Sequence, residues 1–153
     1  MAVTTFNGVD EVRAAVGRHL GYSDWVTVTQ DQVNTFAEAT GDNQWIHVDV
    51  ERARAESPFG GPIAHGYLTL SLTNLFLPQV VDVQGVSMGV NRGTGKVRFL
   101  APVPVGSRLR AGVELTEVVD VNGGIDTTMV ITVEREGSDK PVCVVESLSR
   151  YLA

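Results

Sequence analysis

The chain has 153 residues, 43% hydrophobic and 20% charged, with a net charge of −6. That composition excludes a disordered chain, and the acidic balance argues against nucleic acid as a partner, because phosphate binding needs clustered Lys and Arg. One cysteine, Cys143, excludes an internal disulfide framework and a multi-cysteine zinc site.

The first predicted element is an amphipathic helix from Val9 to Leu20, with Val9, Val12, Ala15, Val16 and Leu20 at helical spacing and His19 exposed on it. Residues 25–28 (Trp-Val-Thr-Val) form a short strand candidate. Thr29 then opens a second helix, where Thr29-Gln30-Asp31-Gln32 fits a capping box. Val33, Phe36 and Ala37 supply its buried stripe, and Gly41 ends it. Asp49 is placed to cap a short helix, Val50 to Glu56. A breaker cluster follows at residues 57–62. Residues 63–77 fit period two and period 3.6 in part; their length and their leucines favour a helix covered nearly all round.

Strands follow from Gly85 onward: 86–91, 96–100, a run with Leu109, Ala111, Val113 and Leu115 inward, and a run with Ile125, Thr127, Met129, Ile131 and Val133 inward. Asn122-Gly123-Gly124 reads as a hairpin turn, and Pro141 precedes a last strand from Val142 to Leu152 that holds Cys143 as a small buried residue. One greasy helix followed by antiparallel strands predicts an α+β architecture, a single domain over 1–153 with the sheet curled around that helix. Such a sheet has a free edge, which favours a dimer. Residues 66–81, the most apolar stretch, are interrupted by Thr69, Ser71, Thr73 and Asn74 and are too short and polar to span a membrane comfortably. The N-terminus lacks the pattern of a secretory signal, so a cytoplasmic setting is the expectation.

Two segments carry candidate chemistry. In TGDNQWIH, residues 40–47, a carboxylate and an imidazole five positions apart can orient a water and take its proton near neutral pH; the same residues also suit an ordinary turn. In GPIAHG, residues 61–66, free amides at a helix start can receive a developing oxyanion, and Gly66 admits a carbonyl closely; the same glycines also suit a simple turn into a helix. His47, His65, Asp42 and Asp49 match no metal-binding spacing, so no metal and no cofactor are expected. No phosphate-binding loop and no GxSxG nucleophile elbow is present.

Taken together, these segments resemble the MaoC-like (R)-specific enoyl-CoA hydratases. Residues 40–49 are similar to that family's signature [ST]GDxNP[IL]HxD, residues 61–66 to its [KR/G]PIxHG segment, and KVRFLAPVPVG, residues 96–106, to its strand-and-turn F..PV..GD segment. The resemblance covers about residues 22–152. It implies a hot-dog fold, with an antiparallel sheet wrapped around one long helix, and a homodimer. It implies that Asp42 and His47 activate water for syn addition across a trans-2-enoyl thioester of CoA or acyl carrier protein. It also implies that the Gly66 N–H binds the thioester carbonyl. A hot-dog thioesterase and a non-catalytic acyl-thioester-binding subunit are the competing readings. Where the family has Asn-Pro, this chain has Gln44-Trp45; Gln44, Trp45, His65 and Asn91 are candidates for loop support or substrate contact.

Overall fold

A computed structural model of the chain describes residues 2–153. Its helices are α1 (Val9–Ala14), α2 (Gln30–Thr40), α3 (Trp45–Val48), α4 (Val50–Glu56), α5 (Gly66–Ser71) and α6 (Thr73–Val80). Its strands are β1 (Thr4–Asn7), β2 (His19–Tyr22), β3 (Val26–Thr27), β4 (Val81–Gln84), β5 (Met88–Phe99), β6 (Arg108–Val121), β7 (Gly124–Arg135) and β8 (Cys143–Leu152). Strands β2-β6-β7-β8-β5 form an antiparallel sheet in that order, and β3 also pairs with β6.

The alternation read from the sequence defines the concave face. Leu109, Ala111, Val113 and Leu115 on β6, and Ile125, Thr127, Met129, Ile131 and Val133 on β7, are all buried. All of them except the polar Thr127 join Leu68 and Leu72 and the fully buried Phe76 of the α5–α6 region in one apolar cluster. At about 25 cal/mol per Å² of apolar area removed from water, this contact is the main favourable term in the fold. The β6–β7 turn is the two-residue loop Asn122-Gly123, in which Asn122 keeps a negative φ and Gly123 takes φ 87° at the second position, the pattern of a type II rather than a primed turn. Gly124 has a different reason to be glycine: a Cβ there lies 1.9 Å from the Tyr151 carbonyl oxygen. Cys143 is buried, and desolvation pushes its thiol up to about 11, so it stays protonated at neutral pH.

Four expectations are corrected. The helix read as Val9 to Leu20 stops at Ala14. Gly17 takes a left-handed φ of 90° and donates to the Leu115 carbonyl, so Leu20 is buried in strand β2 and His19 is an exposed strand residue. The greasy helix starts at Gly66 rather than Ile63, because Ile63 is taken by a β-bridge to Pro104. It is interrupted at one residue, Leu72, which keeps helical φ −65° and ψ −15°, so α5 and α6 together run as one nearly continuous helix from Gly66 to Val80. Around the junction at Leu72, the Ser71 hydroxyl donates to the Tyr67 carbonyl and the Thr73 hydroxyl to the Leu70 carbonyl; such back-bonding bends helices. The strand candidates at 86–91 and 96–100 are one strand, β5, irregular between Asn91 and Gly93 and between Thr94 and Val97. Finally, β1 and β4 form a parallel pair that the sequence reading missed. They are four residues each, too short for periodicity to register.

Strand β5 is a sheet edge, exposed along nearly its whole length. It carries the exposed apolar side chains of Met88, Val90 and Phe99.

Candidate active site

The site is assembled by three short-range devices. Thr29 caps α2 by accepting from the Gln32 N–H, and Gly41 ends α2 with φ 84° and an N–H donated to Ala37. The chain therefore leaves the helix sharply at Asp42, as the capping pattern predicts. An Asx-type contact then shapes the turn: the Gln44 N–H donates to Asp42 Oδ1 at 3.4 Å. Asp49 caps α4 through the Arg52 N–H at 3.1 Å, which sets where α3 must end.

His47 on α3 is buried, yet the site around it is an open cleft. Its Nδ1 lies 2.7 Å from the Ile63 carbonyl oxygen. A carbonyl only accepts, so Nδ1 carries the hydrogen and Nε2 is the free base. The contact is reciprocated by the backbone, since the Ile63 N–H donates to the Ile46 carbonyl at 3.0 Å. Gln30 adds a third tie, donating from Nε2 to the His47 carbonyl at 2.8 Å. Segment 62–64 is itself pinned, with the Ala64 N–H on the Val103 carbonyl and the Val105 N–H on the Pro62 carbonyl.

Gly66 follows as the first residue of α5, so its N–H has no intrahelical acceptor, and it takes no other among the described residues. The Phe99 ring lies across it: a Cβ at position 66 meets three ring carbons at 3.4 Å. His65 is buried beside these groups. One carboxylate oxygen of Asp42 and one ring nitrogen each of His47 and His65 lie within 4.8 Å of one another. The imidazoles of His47 and His65 stack at 3.9 Å with planes 23° apart. Lone pairs lie in the ring planes, and near-parallel planes at this spacing do not converge on one ion, so the arrangement suits a shared small molecule better than a metal.

Asp42, His47, His65 and Gly66 thus line one cleft of about 480 Å³, together with Phe36, Thr40, Tyr67 and Phe99. An apolar cavity of about 370 Å³ adjoins it, sharing Gly66 and Phe99. Phe36 was legible in the sequence only as core, and Gln30 only as part of a capping box. Tyr67, 70% exposed at the cleft, gave no signal beyond its place after Gly66.

The other candidates fall differently. Gln44 is exposed, and among the described residues its side-chain amide makes no hydrogen bond; its backbone does the work, the carbonyl accepting from the His47 N–H. Asn91 is outside the cleft. It lies on β5 beside a separate cavity near Asn74 and Ser147, and its Oδ1 accepts from the Gly93 N–H at the strand irregularity. Arg92 pairs with Asp126 at 3.4 Å. Hydrogen bonding from Arg150 holds that same carboxyl below the usual range, as an ion cluster on the sheet.

Trp45 is half-buried at the first position of α3, with the Arg52 guanidinium 4.2 Å above its ring. Gln44 before it has φ −58° and ψ 140°, the backbone region that a following proline requires. The residue before position 45 is therefore already compatible with a proline there. Trp45→Pro loses a cation–π contact of about 0.5–1 kcal/mol. It gains about 0.4–1 kcal/mol by restricting the unfolded chain. The expected change in melting temperature is about 4 °C or less, read by thermal circular dichroism. A larger loss assigns the loop's order to Trp45 packing rather than to backbone conformation.

The family profile described as a MaoC like domain matches residues 11–136. The chain is 55% identical to 3-hydroxyacyl-thioester dehydratase Z of Mycobacterium tuberculosis, over 97% of this chain and 99% of that protein. It is 44% identical to nodulation protein N of Rhizobium leguminosarum, over 86% and 83% respectively. Among solved structures, the (R)-hydratase from A. caviae involved in PHA biosynthesis superposes with a TM-score of 0.72 at 25% identity, covering 88% of this chain and 94% of that one. With the wrapped sheet, the matched profile and relatives along nearly its full length, the chain belongs to the MaoC-like dehydratase family of hot-dog enzymes.

Proposed function

We propose that the protein is an (R)-specific enoyl-thioester hydratase, reversible as a 3-hydroxyacyl-thioester dehydratase. The observation that carries this reading is the convergence, in one cleft, of the Asp42 carboxylate, the free Nε2 of His47 and the unpartnered N–H of Gly66. In the reaction, the thioester carbonyl sits on the Gly66 N–H, which stabilises the charge that develops as the enoyl group is attacked. The Asp42–His47 pair holds a water on one face of the double bond. His47 Nε2 accepts one proton as the water oxygen bonds to C3, and the pair returns one proton to C2 on the same face. Every atom of water ends in the product, and addition is syn. The apolar cavity that adjoins the cleft at Gly66 and Phe99 offers a place for an acyl chain.

The exposed β5 edge supports a homodimer, since an unpaired strand edge with apolar side chains is a template for a second copy. No helix of the described residues is long and apolar enough to cross a membrane. We place the enzyme in the cytoplasm, acting on thioesters of CoA or acyl carrier protein.

The test is loss of the conjugated enoyl absorbance when purified protein meets crotonyl-CoA and longer trans-2-enoyl-CoA substrates, with chiral analysis of the product. Formation of the (R)-3-hydroxyacyl thioester supports the reading. Release of free CoA without hydration identifies a thioesterase, and binding without turnover across the chain-length series identifies a non-catalytic subunit; either overturns it.

A further inference from the structure

We infer that His65 is a positioning residue that fastens the catalytic loop to the catalytic imidazole. This rests on the reading of Asp42 and His47 above. Three contacts of this one side chain carry it. Its Nε2 lies 3.0 Å from the backbone carbonyl oxygen of Asp42, across 23 residues of sequence. Its ring stacks on His47 at 3.9 Å. Its other neighbour is the Phe36 ring, 5.0 Å away and tilted by 52°. In the backbone, His65 is the residue before Gly66, and its carbonyl accepts from the Leu68 and Thr69 N–H groups that start α5. The three groups proposed for the reaction are thus each one contact from His65.

The two ring nitrogens show what the side chain is for. A carbonyl only accepts, so Nε2 carries the hydrogen and donates to Asp42. Nδ1 is then a lone pair, sealed from solvent and without a partner among the described residues. A buried acceptor with no donor is a cost that a Phe or Leu at this position avoids. It is offset only by what the imidazole does elsewhere: the donation to Asp42 and the flat face against His47. The sealed Nδ1 also separates this role from catalysis. A nitrogen that neither solvent nor substrate reaches exchanges no proton with the reacting atoms, and the other nitrogen is committed to the backbone.

Without the Nε2–H, nothing among the described residues holds the Asp42 carbonyl. The turn relies on local contacts, of which the Asp42 N–H to Thr40 Oγ1 and the Gln44 N–H to Asp42 Oδ1 are long, at 3.5 and 3.4 Å. Misplacement of a catalytic carboxylate by about 1 Å costs on the order of 10²-fold in rate while leaving substrate binding largely intact. The effect should therefore fall on kcat and spare KM.

Three variants separate the contacts. His65→Gln reaches with an amide N–H to about the place of Nε2 but has no ring. His65→Phe keeps a ring to stack but has no donor. His65→Ala has neither. Enoyl-CoA hydration is expected to show kcat down on the order of 10²-fold in His65→Ala and His65→Phe, with KM within about threefold of the parent and substantial recovery in His65→Gln. Hydrogen exchange supplies a readout independent of turnover. Amides of segment 41–48 are expected to exchange about tenfold faster or more in His65→Phe and His65→Ala, and near the parent rate in His65→Gln, with the β6–β7 amides unchanged. Unchanged exchange in segment 41–48 of His65→Ala overturns the inference, as does a His65→Phe enzyme with parental kcat. If the parent protein turns over no enoyl thioester, the hydratase reading fails, and the exchange experiment still decides whether His65 fastens the loop.

Discussion

His47→Asn is expected to reduce kcat/KM for enoyl-thioester hydration by about 10²–10⁴-fold, the range a positioned general base supplies. That is about 3–5 kcal/mol of transition-state stabilisation. Asparagine is the informative replacement. Its side-chain N–H occupies roughly the place of Nδ1 and preserves the donation to the Ile63 carbonyl, so the tie between α3 and segment 62–64 survives. What disappears is Nε2, the only ring nitrogen of His47 left free by that bond. Asp42→Asn makes the matching test, since its remaining oxygen still accepts from the Gln44 N–H while the carboxylate charge is gone. If the two groups hold one water as a unit, the double variant is expected to be little worse than the poorer single one, because residues that act together lose their function together. Circular dichroism should show the parent fold in all three. Parental turnover in either single variant removes that residue from the mechanism, and strictly additive losses in the double variant mean that the two groups act in separate steps.

The parts of this site that were legible in the sequence are those that depend on local chemistry. A capping Thr29, an Asp at 49 with its helix behind it, and a left-handed Gly41 are set by neighbours within four residues, and the structure has each of them. The inward faces of β6 and β7 follow from period two, which long strands display clearly. Gly112 is instructive as a partial exception. Alternation places it outward, and it is on that face, yet it is buried because Tyr22 and His19 cover it; a Cβ there meets Tyr22 Cε1 at 2.9 Å. That cover comes from β2, whose first two residues, His19 and Leu20, fell inside the helix expected from Val9 to Leu20.

What was not legible depends on partners far along the chain. Nothing local in residues 62–64 announces that Ile63 holds His47 by its carbonyl and Ile46 by its N–H, because the partners of this segment lie at Ile46, His47, Val103 and Val105. Nor does local sequence show that Phe99 lies over Gly66 or that His65 reaches the Asp42 carbonyl. The break at Leu72 was hidden for a different reason. Ser71 and Thr73 are compatible with a continuous helix, and Leu72 between them keeps helical φ and ψ, so the interruption has no local sequence signal. Asn91 was grouped with the site by its place in a strand near the resembling segment. The strand irregularity at Gly93 turns its side chain to a local backbone bond beside another cavity.

Gly66→Pro is expected to lower kcat by about 10²–10³-fold, equivalent to about 2.7–4 kcal/mol, by deleting a single backbone hydrogen. This position allows the experiment because Gly66 is the first residue of α5. Proline is favoured there: the N–H it lacks has no helical acceptor, and its fixed φ suits the first turn. The preceding residue is already compatible, since His65 has φ −62° and ψ 141°, within the extended region that proline imposes on its neighbour. The one structural objection is crowding, because any Cβ at 66 touches the Phe99 ring at 3.4 Å. Gly66→Ala controls for that contact. It brings the same Cβ against the same ring but keeps the N–H, and a loss of about tenfold or less is expected from it. The difference between alanine and proline then measures the donor itself. A transition-state donor should appear in kcat rather than in KM, since the carbonyl oxygen gains charge only as the enoyl group is attacked. If the proline variant matches the alanine variant, the thioester carbonyl is held elsewhere, and the free N–H at the start of α5 is a consequence of helix geometry alone.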